Sequence, residues 1–64
     1  MTLDEAAALV PEGYEWLVRT DEEKGGFANV HEKGDPLTAR MFKAYGLDPA
    51  DALRVAVMLA RGRV

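Results

Sequence analysis

Residues 34–49, Gly-Asp-Pro-Leu-Thr-Ala-Arg-Met-Phe-Lys-Ala-Tyr-Gly-Leu-Asp-Pro, set the element order of this chain. Gly34 breaks whatever precedes it, Asp35 is a good helix cap, and Pro36 suits a first helical turn because its missing N–H would have no partner there. Leu37, Met41, Ala44 and Tyr45 then recur at helical spacing, with Phe42 to one side. Gly46 followed by Leu47 has the grammar of a glycine C-cap with its hydrophobic contact. The spacing predicts a helix between the Asp35 cap and Gly46. Asp48-Pro49 then caps a second helix directly behind it.

Upstream, Thr2-Leu3-Asp4-Glu5 fits a capping box, so a short helix is expected with Leu3, Ala6, Ala7 and Val10 on one face. Pro11 and Gly13 end it near Val10. Tyr14 to Thr20 is rich in aromatic and β-branched residues, and Tyr14, Trp16 and Val18 alternate onto one side of a strand. Asp21-Glu22-Glu23-Lys24-Gly25-Gly26 is polar and ends in two glycines, as a hairpin loop does. Phe27 to Lys33 returns as the second strand, with Ala28 and Val30 beside Trp16 and Val18, and with Phe27, Asn29 and His31 on the other face with Leu17. The resulting fold class is α+β, a single domain over residues 1–64 in the order αββαα, with a two-stranded antiparallel hairpin packed on helices.

The final helix, Pro49 to Arg61, is apolar almost all round, with only Asp51, Arg54 and Arg61 to mark water. A surface helix normally shows one apolar stripe and one charged face. Either this helix is the buried axle of the domain or one side is kept for another molecule. Trp16, Val18, Val30, Met41 and Tyr45 are the residues expected to cover it from within. The strip through Arg54, Met58 and Arg61 is then left for a partner, whether another protein or a second copy pairing through 49–61.

Charge is uneven. Residues 1–32 hold eight acids against Arg19 and Lys24, a balance of −6, while residues 33–64 carry +3, so the net charge is −3. An acidic chain argues against direct nucleic-acid binding, which depends on many Lys and Arg displacing counterions. The absence of cysteine leaves neither a disulfide nor a thiolate metal site as a staple. His31 is the sole histidine, and a strand places Asn29 and Lys33 on its side rather than carboxylates, so no metal or other cofactor is expected. Serine is missing as well, and Thr2, Thr20 and Thr38 fall at element ends where capping explains them. Glu22 and Glu23 sit at a solvated hairpin tip, without the pocket that separates the pKa values of a catalytic pair. The chain therefore reads as non-enzymatic. No stretch approaches the roughly 20 apolar residues of a membrane span, and a soluble cytoplasmic protein with no membrane partner is expected.

From Asn29 onward the chain resembles ribbon-helix-helix DNA-binding proteins of the RelB antitoxin type, through the strand Asn29-Val30-His31-Glu32-Lys33, the helix after Asp35, and Gly46-Leu47-Asp48-Pro49-Ala50-Asp51-Ala52-Leu53-Arg54. That resemblance implies a dimeric regulator with Asn29, His31 and Lys33 facing the major groove. In size and charge the whole chain resembles small inhibitors that phages and mobile elements encode, including anti-CRISPR proteins. This comparison implies a protein-binding module that occludes a larger host protein or nucleoprotein complex with a basic surface. Asp21, Glu22 and Glu23 would steer it by charge mimicry, and Trp16, Arg54, Met58 and Arg61 would line the contact.

Overall fold

A computed structural model describes residues 1–35 and 37–62 and gives the order αβββα: α1 Leu3–Ala8, β1 Tyr14–Asp21, β2 Gly25–Glu32, β3 Met41–Gly46 and α2 Pro49–Arg61. The expected αββαα order with a two-stranded hairpin is overturned. The three strands form one antiparallel sheet in the order β1-β2-β3. Where the spacing predicts a helix after Asp35, the chain makes one tight turn and then a strand. The Asp35 signal is real but spent locally: its side chain accepts from the Leu37 amide (2.9 Å), and its carbonyl accepts from Thr38 and Ala39 (3.0 and 2.9 Å). The expected helical role of Pro36 lies outside the described residues.

The reason for the strand lies in its neighbour. With two strands only, the second edge of β2 would expose its amides and carbonyls, and an isolated hairpin is marginal in water. Met41 to Gly46 supplies the missing edge, pairing Phe42 with Val30, Ala44 with Ala28 and Gly46 with Gly26. The same residues that fit a helical stripe also alternate, so Phe42 and Ala44 turn to α2 while Met41, Lys43 and Tyr45 turn away.

Local signals elsewhere hold their positions. The Thr2 amide donates to Glu5 Oε1 (2.9 Å) and the Glu5 amide to Thr2 Oγ1 (3.2 Å), closing the capping box. Gly13 exits at φ 88°. In the hairpin, Trp16 lies opposite Val30, Val18 opposite Ala28 and Leu17 opposite Asn29. Asp48 Oδ1 accepts from the Asp51 amide (2.8 Å), and Asp51 Oδ2 accepts in turn from the Leu47 amide (3.1 Å).

α2 packs on one face of the sheet, and α1 packs against α2. Ala52, Leu53, Ala56, Val57 and Ala60 of α2 are buried together with Ala6 of α1 and with Ala28, Val30 and Ala44 of the sheet. Leu53, Val30 and Val57 are the largest fully enclosed side chains, and small alanines elsewhere let helix and strands approach closely. The all-round apolar helix is thus largely covered, by the sheet on one side and α1 on another. Of the five residues expected to cover it, Val30 is buried and Val18 packs at the core margin. Trp16 remains 41 % exposed. Met41 and Tyr45 face away because their segment is a strand.

Two carboxylates respond to these caps. Hydrogen bonds from Thr2 hold Glu5 below its ordinary pKa, and the Leu47 amide with the Arg54 guanidinium does the same for Asp51. A carboxylate whose folded pKa is depressed stabilises the fold above its unfolded pKa, and that contribution disappears as pH falls through the folded value. Stability should therefore decline as pH drops below about 4. In urea melts, Glu5→Gln with Asp51→Asn should be less stable than the native chain at pH 7 and lose less between pH 7 and pH 3. An equal acid loss in both proteins would show that these carboxylates do not couple folding to pH.

Candidate binding surfaces

Among the described residues no helix covers the other face of the sheet, Gly34 and Ala39 flank it at the end that holds Glu15, His31 and Met41, and the register arranges its side chains in three rows. Across the strands these run Glu15, His31, Met41; then Leu17, Asn29, Lys43; then Arg19, Phe27, Tyr45. Leu17 is 54 % exposed, Tyr45 47 % and Met41 46 %, while Phe27 at 9 % is hidden beneath its neighbours. The Arg19 guanidinium lies 4.6 Å from the Phe27 ring centroid and the Lys24 ammonium 4.2 Å from that of Tyr45, and the two rings tilt together at 5.3 Å. The cations shield these rings and restrict free stacking faces. At the centre, Asn29 Oδ1 is buried without a hydrogen-bond partner.

Against this face the hairpin tip is acidic. Asp21 is structurally engaged, its Oδ1 accepting from the Glu23 and Lys24 amides (3.0 and 2.8 Å), which fixes the turn. Glu22 and Glu23 are exposed beside it. Gly25 and Gly26, expected as loop chemistry alone, also belong to β2 and lie against the backbone of residues 46–49.

The strip expected on α2 is partly consumed by the fold. Arg54 forms an ion pair with Asp51 (3.0 Å) and reaches Met58 Sδ (3.4 Å). Arg61 donates to the Leu9 carbonyl (3.1 Å), tying the end of α2 to the end of α1. Met58 and Leu59 stay exposed, at 62 % and 48 %. Leu59 joins Arg40, Met41, Phe42 and Lys43 around an open groove beside β3. Trp16 belongs to neither that strip nor the helix-free face; it sits on β1, on the helix side of the sheet. The expected contact residues are therefore divided between β1, the hairpin tip and α2.

Sequence reasoning missed the cationic and aromatic part of the open face: Arg19, Lys24, Lys43 and Tyr45. A period-two reading of Met41, Lys43 and Tyr45 would have found it. Asn29 and His31 lie on the central strand of the same face, with His31 Nδ1 3.2 Å from the Glu32 carbonyl. Among the described residues no three His, Cys, Asp or Glu side chains converge as metal ligands would, and no helix is long and apolar enough to cross a membrane. No known protein family, curated protein or solved structure matches this chain.

Proposed function

We propose that this protein is a non-enzymatic binding module that works by occupying a surface on a larger protein. The observation that carries this reading is the helix-free sheet face, where Leu17, Met41 and Tyr45 stand about half exposed in a chain of 64 residues. These side chains are spaced around Asn29 and Lys43 on one face, an arrangement that favours a partner offering apolar and polar contacts together. Glu22 and Glu23 at the adjoining tip add a negative rim suited to a partner with a basic surface. Inhibition of a host complex by a phage or mobile-element protein of the anti-CRISPR kind is the narrower form of this proposal, supported by size and acidity.

Rim charges act mainly on encounter rates, which fall as salt screens them. Glu22→Lys with Glu23→Lys should slow association with the captured partner at least tenfold at low ionic strength and leave dissociation nearly unchanged. Leu17→Ala with Tyr45→Ala should instead speed dissociation. The experiment is capture by the immobilised native protein, followed by surface-plasmon kinetics on each variant. Capture of no protein, or of one that binds both variants as it binds the native chain, would overturn the proposal.

A further inference from the structure

The hydrogen-bond phase of the sheet shows what its outer edges offer. The Glu32 amide donates to the Arg40 carbonyl and the Lys33 amide to the Gly13 carbonyl, both at 3.0 Å. Even-numbered residues of β2 thus pair toward β3 and odd-numbered ones toward β1. It follows that Glu15, Leu17 and Arg19 direct their backbone inward, while Trp16, Val18 and Thr20 direct theirs away from the sheet. Tyr14 does the same, but its amide is taken by the Pro11 carbonyl (3.2 Å).

Sheet edges invite pairing unless they are short, charged or interrupted by proline. The β3 edge is six residues long and carries Arg40 and Lys43 close by. The β1 edge is eight residues long, contains no proline, exposes Trp16 and Leu17, and carries charges of both signs in Glu15, Arg19 and Asp21, where those at the β3 edge are all positive. We infer that β1 pairs antiparallel with β1 of a second copy of this chain, joining the two sheets into one six-stranded sheet.

The occupant follows from self-complementarity. Outward-directed residues must meet outward-directed residues, which leaves few registers. With the two-fold axis at Leu17, Trp16 and the partner's Val18 exchange both backbone hydrogen bonds. On the open face Leu17 meets the partner's Leu17, and Glu15 lies opposite the partner's Arg19, twice by symmetry. Among the described residues the one ion pair is Asp51–Arg54, so neither charge has an ionic partner within its own chain, and Arg19 would reach the partner's Glu15 from its place over the Phe27 ring. Moving the axis to Val18 sets Glu15 against the partner's Asp21, a like-charge pair. Moving it to Trp16 sets Glu15 against the partner's Leu17 and leaves both charges unmatched. Directly opposed side chains lie about 4.5–5.5 Å apart at Cβ, so opposite charges stabilise and like charges destabilise the pairing. The Leu17 register also brings the two helix-free faces side by side. The dimer does not depend on the partner-binding reading above.

Sedimentation equilibrium across micromolar to millimolar protein tests this. The native chain should pass from 7.0 kDa to twice that mass and no further. Glu15→Arg and Arg19→Glu should each weaken dimerisation at least tenfold, since each sets like charges together at both symmetric positions. An equimolar mixture of the two variants restores both opposite-charge pairs and should dimerise again. Val18→Pro, which removes an outward amide and no internal one, should be monomeric. Circular dichroism confirms that each variant is folded. Should one unfold, amide exchange on the native chain decides, because Trp16 and Val18 amides should gain protection only as concentration rises. A monomer at millimolar concentration, open-ended aggregation, or a dimer that the single charge reversals leave intact would overturn the inference.

Discussion

Gly26→Ala should leave the chain largely unfolded at room temperature. Gly26 lies on the helix side of β2, opposite Thr20 and Gly46, where the connection into α2 crosses the sheet. A methyl group there would overlap the Asp48 carbonyl carbon and oxygen and the Pro49 nitrogen. Those are backbone atoms at the start of a helix, so no flexible side chain can swing aside. Gly46 is equally confined, its added Cβ falling 2.6 Å from the Ala52 nitrogen. Relief requires α2 to lift away, taking Leu53 and Val57 with it. Overpacking of a core costs about 1–3 kcal/mol even where side chains can adjust. A domain this small has roughly 3–5 kcal/mol in total. Gly62→Ala is the matched control: Gly62 has an ordinary helical φ of −71°, and its nearest atom to an added methyl is the Met58 carbonyl oxygen at 3.4 Å. Urea melts should show that variant within about 1 kcal/mol of native. A native-like melt for Gly26→Ala would mean that α2 is not seated against this end of the sheet.

Leu53→Ala should come close to it in severity. Leu53 is fully enclosed, and α2 packs against both β2 and β3 as well as α1. Truncating a buried leucine costs about 2–5 kcal/mol, the removed burial plus the cavity left behind. Most of the folded population should be lost at 25 °C, with the remainder melting broadly. Leu59→Ala, six residues further along the helix and 48 % exposed, should change stability by less than about 1 kcal/mol. Both variants remove the same atoms from the same helix, so hydrophobicity alone predicts equal effects and only the packing separates them. Similar unfolding midpoints would contradict the burial pattern of α2.

Much of the fold was legible before any tertiary information. The Thr2–Glu5 box, the Asp48 cap and the alternation of Tyr14, Trp16 and Val18 rest on contacts within a few residues, which a linear reading captures. The Asp35 cap was equally legible, yet what it capped was a single turn, because a cap does not specify how far a helix runs. Likewise the glycines at 25 and 26 were visible as breakers. Their need to lie flat against the Gly46–Pro49 backbone arises between segments more than twenty residues apart.

The candidate surface divided in the same way. The acidic tip was plain from composition, and Glu22 and Glu23 are exposed as their position implied. Arg54 and Arg61 read as free charges on a helix, but Asp51 and the Leu9 carbonyl occupy them, and the second of those partners is distant in sequence. Arg19, Lys24, Lys43 and Tyr45 became one face only once β3 took its place beside β2.

The amino-acid sequence by itself determined the helix starts at Thr2 and Asp48, where the hairpin turns and which side of each hairpin strand is apolar, since these depend on propensity, capping and alternation over short range. Tertiary structure decided the state of residues 37–46. Their apolar positions satisfy both a helical and an extended period, and the choice fell to the open edge of β2, whose unpaired backbone groups and small alanine face are satisfied by a third strand and not by a helix.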